Sequence, residues 1–220
     1  MTARYIIHGT MLDNLANILA TGKLETHPHQ ILTQILFKDL PHQERQLSHW
    51  FMCGIILDKR ILKARRWYAT PAGGFYPKFE DAFNAKPKPD SHSHHPILAK
   101  NPRANPRAAR IPSLALLKKH ITARMAANTL GETGFIHSHE VLFDQDIPLA
   151  EWGIAIVVRE WAFHNMISKT EQARIITKCQ ELGLPLVMYG GNQRSRYWTP
   201  GLDKMIDLID EHVKTKKNKK

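Results

Sequence analysis

Glu140-Val141-Leu142-Phe143-Asp144-Gln145-Asp146-Ile147-Pro148-Leu149, with Gly153-Ile154-Ala155-Ile156-Val157-Val158 close behind, is the stretch that decides how this chain folds. Val141 to Phe143 are apolar and β-prone. Ile147-Pro148-Leu149 breaks the strand, and Ile154 to Val158 resumes it. Such a run predicts a strand covered on both faces, because a half-exposed strand alternates apolar with polar residues. Glu140 stands at the mouth of the run. A carboxylate there is either a solvated strand end or a charge held on a rigid element, and the other end of the chain bears on which.

At that other end, Arg4-Tyr5-Ile6-Ile7 predicts a short strand and His8-Gly9-Thr10 a tight polar turn. Leu12, Leu15, Ala16, Ile18 and Leu19 then fall at helical spacing, and Gly22 stops the helix. The glycine admits a ligand close to the backbone, while the histidine and the threonine hydroxyl can hold a polar group. Alone, His-Gly-Thr reads sooner as an ordinary turn with a satisfied histidine.

The chain has 220 residues, 43% of them hydrophobic and 23% charged, which fits one globular core rather than a disordered segment. The net charge of +11 favours acidic partners such as nucleic acid or nucleotides, although part of it is a lysine-rich end, residues 214–220. Cys53 and Cys179 lie in apolar patterns and read as buried thiols in a reducing compartment. No apolar run reaches membrane-spanning length, and Met1-Thr2-Ala3-Arg4-Tyr5 opens no export segment. A cytoplasmic protein is expected, with delivery into another cell needing a route other than a cleaved signal.

Between the two ends, residues 31–37 predict a helix or a buried segment, Trp50 to Leu57 a strand, Ile61-Leu62 a helical turn and Arg66 to Thr70 another strand. Residues 86–110 hold five prolines and no sustained period, so a long loop is expected, with Arg103, Arg107 and Arg110 as a basic stripe suited to phosphates or to a solvated face. His92-Ser93-His94-His95 lacks the paired spacing of a zinc site, and no metal is expected. Ser113 to Asn128 predicts a helix, as do Thr170 to Leu182 and Leu202 to Val213, with Pro185 to Tyr189 a final strand. The expected organisation is one domain over residues 1–213 and a lysine tail.

The order of Ile7-His8-Gly9-Thr10, Leu15-Ile18-Gly22 and, far downstream, Glu140-Val141-Leu142-Phe143 with Ile147-Pro148-Leu149 resembles the ADP-ribosyltransferase superfamily. The likeness is to its histidine-motif group, which includes poly(ADP-ribose) polymerases, DNA-targeting toxins and tRNA 2′-phosphotransferases. It covers roughly the first 25 residues and Phe135 to Val158. It implies an α+β fold with a split, mostly antiparallel β-sheet sandwich flanked by helices, and NAD as substrate in the cleft between the sheet halves. It implies His8, Gly9 and Thr10 as NAD-binding residues: His8 toward a ribose, Gly9 offering its backbone to the nicotinamide amide, Thr10 supporting them. Tyr68 or Tyr76 would stack on nicotinamide, unless the aromatic pair at Trp67-Tyr68 simply packs in the core. Glu140 would be the catalytic carboxylate, and Arg65, Arg66 or Arg110 could meet the diphosphate. Ser138 stands where some branches carry a second Glu or Gln, so the acceptor stays open between protein and nucleic acid. A toxin or effector role comes with the resemblance alone. Two other readings stand beside it: a non-enzymatic basic nucleic-acid-binding module, and RNA 2′-phosphate transfer, for which the expected arginines around the histidine motif are missing.

Overall fold

A computed structural model describes residues 3–26, 31–37, 52–65, 67–70, 115, 140–143, 145–190 and 202–217. Strand β1 (Ala3–Thr10) leads into helix α1 (Leu12–Thr21), then β2 (Lys23–Leu24), β3 (Ile31–Phe37), β4 (Cys53–Leu57), α2 (Ile61–Ala64) and β5 (Trp67–Thr70). The chain resumes at β6 (Glu140–Phe143), β7 (Ile147–Pro148), α3 (Leu149–Trp152), β8 (Gly153–Arg159), α4 (Glu160–Asn165), α5 (Lys169–Glu181), β9 (Leu186–Tyr189) and α6 (Leu202–Lys217). The class is α+β. Among the described residues no helix is long and apolar enough to cross a membrane.

Seven strands form one hydrogen-bonded sheet in the order β5-β6-β3-β1-β4-β8-β9, and β2 and β7 pair separately. All neighbours in the large sheet are antiparallel except β8 and β9. The expected sheet halves are joined: β3 pairs β1 on one side and β6 on the other, so the ladders connect β5 through to β9. Nor does β8 resume β6. Three strands stand between them, because β6 takes β3 as its partner and β8 takes β4. Residues 31–37 are a strand, not a helix. Ile31, Thr33 and Ile35 are all buried at a period of two, which is the strand period.

The sheet is covered on both faces. On one, Ile6, Ile31, Ile35, Ile55, Val141, Phe143 and Val158 pack with α1 and α5 through Leu12, Leu15, Leu19, Ile175 and Cys179. On the other, Tyr5, Ile7, Ile56, Ala155, Val157 and Val187 meet Met205, Ile206 and Ile209 of α6. Asp210 fastens that helix by accepting from Tyr5 Oη at 2.5 Å and from Arg4 Nε at 3.2 Å. Helix α6 runs on through Lys217, into the lysine-rich end. Helix α1 ends on Gly22 in the left-handed region (φ 68°), where its N–H caps the Ile18 carbonyl. Ser168 caps α5 by accepting from Glu171 N at 3.1 Å.

Gly153 sits at the tight passage from α3 into β8. A Cβ there would stand 2.5 Å from the Leu149 carbonyl oxygen and 3.0 Å from Leu184 Cδ2. Backbone cannot yield as a side chain does, so Gly153→Ala should destabilise the protein by about 1–3 kcal/mol, read as a lower urea midpoint at unchanged slope.

Candidate functional site

Strand β1 supplies the candidate site, and the structure alters its reading. His8, Gly9 and Thr10 are not a turn. They continue β1 and pair with Ile55, Gly54 and Cys53 of β4. Pairing with a strand more than forty positions away overrides the local turn signal of Gly9. Only Met11 separates the strand from α1, and its side chain makes no cap bond.

The other side of β1 differs. Its ladder with β3 ends, among the described residues, at Ile7↔Gln34, while β1 continues along β4 to Thr10 and β3 continues from Thr33 to Ile31 along β6. The sheet is thus forked: β1 with β4 on one arm, β3 with β6 on the other. Thr33 is bound to the outer arm through Oγ1, which donates to the Val141 carbonyl at 2.7 Å.

Glu140 belongs to the row at the base of the fork. It pairs with Gln34, Gln34 pairs with Ile7, and Thr70 of β5 completes the row. At ~4.8 Å between neighbouring strands, the Ile7 and Glu140 backbones are roughly 10 Å apart. Alternate residues of a strand belong to opposite faces. His8 is in step with Ile6, on the α1 and α5 face. Glu140 is out of step with Val141 and in step with Ile7, on the α6 face. Gly9 shares the Glu140 face. The backbone therefore brings His8 and Glu140 to one fork but not to one face.

Two residues that sequence reasoning missed meet at the end of the sheet where β1 finishes at Thr10. Arg159 ends β8 and Tyr189 ends β9, and they are register partners. Arg159 is only 6% exposed, and its backbone N–H donates to the Met52 carbonyl at 2.9 Å. Burial pushes the Tyr189 phenol up to about 12, with Cys53 acting in the same sense and the Arg159 charge opposing, so it is a proton donor at neutral pH. The signal was available: a charge closing the apolar run Ile154 to Val158, and an aromatic closing the next one. Arg65, one of the cations expected for a diphosphate, is engaged elsewhere, donating to Gln145 Oε1 at 3.2 Å and to Glu151 Oε2 at 3.5 Å.

Tyr68 lies on β5, paired with Leu142, and β6 and β3 stand between β5 and β1. Tyr76, Arg66, Arg103, Arg107, Arg110, Ser138, the loop at 86–110 and the histidines at 92, 94 and 95 lie outside the described residues. Among the described residues no three His, Cys, Asp or Glu side chains gather as metal ligands. A comparison with models of known protein families finds no match, and neither does a comparison with curated proteins.

Cys53 fastens the end of the inner arm. It is fully buried, and its Sγ donates to the Thr10 carbonyl at 3.2 Å. Burial pushes its thiol far above the ordinary range, and the Asp13 charge adds to this. Burial likewise pushes Cys179 up to about 12. A thiol attacks only as thiolate, so both cysteines should resist a disulfide reagent in the native protein and react fully in denaturant. Fast native labelling of either would contradict the packing described.

Proposed function

We propose that this chain is an NAD-dependent ADP-ribosyltransferase with an ADP-ribosyltransferase-like fold, acting on a macromolecular acceptor. The observation that carries the reading is the fork: the strand with the His8-Gly9-Thr10 motif leaves β3 one residue before the motif begins, in the row that also holds Glu140. The fork stands where the resemblance expects a cleft between sheet halves. Gly9, without a side chain, suits close approach of a carboxamide to the main chain. Arg159 supplies positive charge one residue beyond the row of Thr10, Cys53 and Val158, at the end of the sheet where a diphosphate would need it.

In this reaction the bond between nicotinamide and ribose breaks, nicotinamide leaves with the bonding pair, and the acceptor bonds to the same sugar carbon as it gives up a proton. Positive charge grows on the sugar meanwhile, and a fixed carboxylate lowers that barrier. Glu140 is assigned this role. Because His8 and Glu140 belong to opposite faces, the reading passes the ligand through the fork rather than along one side of the sheet. The net charge of +11 suits a nucleic acid acceptor, and a protein acceptor fits the same chemistry.

That opposition of faces also favours a second reading, a basic nucleic-acid-binding module without catalysis, which has no need of Glu140. Incubation with labelled NAD and a cell lysate separates the two. Transfer should occur with the wild type, fall on the order of a hundredfold or more in Glu140→Gln with NAD binding retained, and lose NAD affinity in His8→Ala. Label transfer at the wild-type rate by a folded Glu140→Gln protein would refute the carboxylate assignment. No NAD binding at all, with nucleic acid bound, would leave the module.

A further inference from the structure

The segments leaving the two arms of the fork are tied together. Helix α1 and then β2 follow the His8 arm, while β7 follows β6 of the Glu140 arm. β2 and β7 meet in two rungs, Lys23↔Pro148 and Leu24↔Ile147, and Leu149 N donates to the Gly22 carbonyl at 2.9 Å. Leu24, Ile147 and Leu149 are buried beneath this join. Two rungs are too few to hold two strands by themselves. Asp146 supplies the rest. Its Oδ2 accepts from Lys23 Nζ at 2.8 Å, and its Oδ1 accepts from the Thr26 backbone N–H at 3.0 Å and the Thr26 hydroxyl at 3.1 Å. Glu25 lies on the same ammonium at 3.2 Å.

We infer that Asp146 is a positioning residue, which sets the Glu140 strand relative to the His8 arm by clasping the exits of both. The inference rests on the transfer reading above. Lys23 and Asp146 are each about 40% exposed, so their attraction adds little to stability. What the clasp adds is direction, since a carboxylate bridging a backbone N–H, a hydroxyl and an ammonium on one short segment admits few arrangements. Lys23 and then the Thr26 N–H hold the Asp146 carboxyl below its ordinary range. The clasp is therefore complete above the ordinary carboxyl range and is lost as pH falls through the lowered value.

Asp146→Ala should lower kcat for transfer roughly tenfold while the Kd for NAD stays within about twofold, as for a small displacement of a reacting group. Asp146→Asn keeps an oxygen for the Thr26 N–H and should recover most of the loss. Amide exchange at Gly9-Thr10 and at Val141 to Phe143 should speed up in Asp146→Ala. Wild-type kcat in a folded Asp146→Ala protein, or a loss confined to NAD affinity, overturns the inference. If that variant does not fold, Lys23→Gln takes its place, with kcat expected to fall about threefold and an unchanged kcat overturning the clasp. Should the wild type transfer no ADP-ribose, the transfer reading falls, and the exchange measurement still decides the clasp: unchanged exchange in both strands overturns it, and faster exchange in both supports it.

Discussion

Ile6 and Ile7 are paired on both sides, with Ile35 and Gln34 in β3 and with Leu57 and Ile56 in β4. These rungs are what join the two halves of the sheet. Each residue is buried, Ile6 in one core and Ile7 in the other, so the main-chain junction and both apolar layers meet at the same two positions. A buried backbone without partners costs as much as a lost hydrogen bond per group, and here double pairing meets that demand at the centre of the sheet. One residue later the ladder with β3 has ended and the ladder with β4 runs on. The fork is the boundary between these two regimes.

The two cores are unequal, and their covers differ in origin. The larger is sealed by α1 and α5, which come from near the two ends of the sheet-forming sequence and pack on one another. The smaller is sealed by α6, fastened at the far side of β1 through Arg4, Tyr5 and Asp210. The first strand and the last helix of the described chain are thus bonded to each other. Arg159 and Tyr189 come to the same end of the sheet because β8 and β9 are parallel and finish together. An antiparallel pair would have sent them to opposite ends.

Where the order was local, it could be read from the residues. The stripe Leu12, Leu15, Ala16 and Leu19 with its Gly22 stop carries its own period, and β4 and β8 are told by unbroken apolar runs. Ile31 to Phe37 was ambiguous because ILTQILF fits both an i, i+4 stripe and alternation, and only the partners on either side settle it. His8 to Thr10 looked like a turn because its strand partner, Cys53 to Ile55, is remote. The same remoteness hid the exchange of partners that sends β6 and β8 to different parts of the sheet, and hid Asp146, whose bonds to Lys23 and Thr26 span about 120 residues. The site followed suit. Its motif residues were visible one by one, whereas the face each belongs to is a matter of register, and a shift of one residue reverses it.

Strand β5 ends at Thr70, β6 begins at Glu140, and these two residues are partners. The chain therefore leaves and re-enters the sheet at a single rung, as if the intervening sequence had been spliced into the tip of a hairpin. Lengthening such a segment costs little, about 0.6 kcal/mol for each doubling of an open loop, and the rung that closes it is the same whether few or many residues intervene. The place of Glu140 in the sheet is in that sense fixed at this root, by Thr70 on one side and Gln34 on the other.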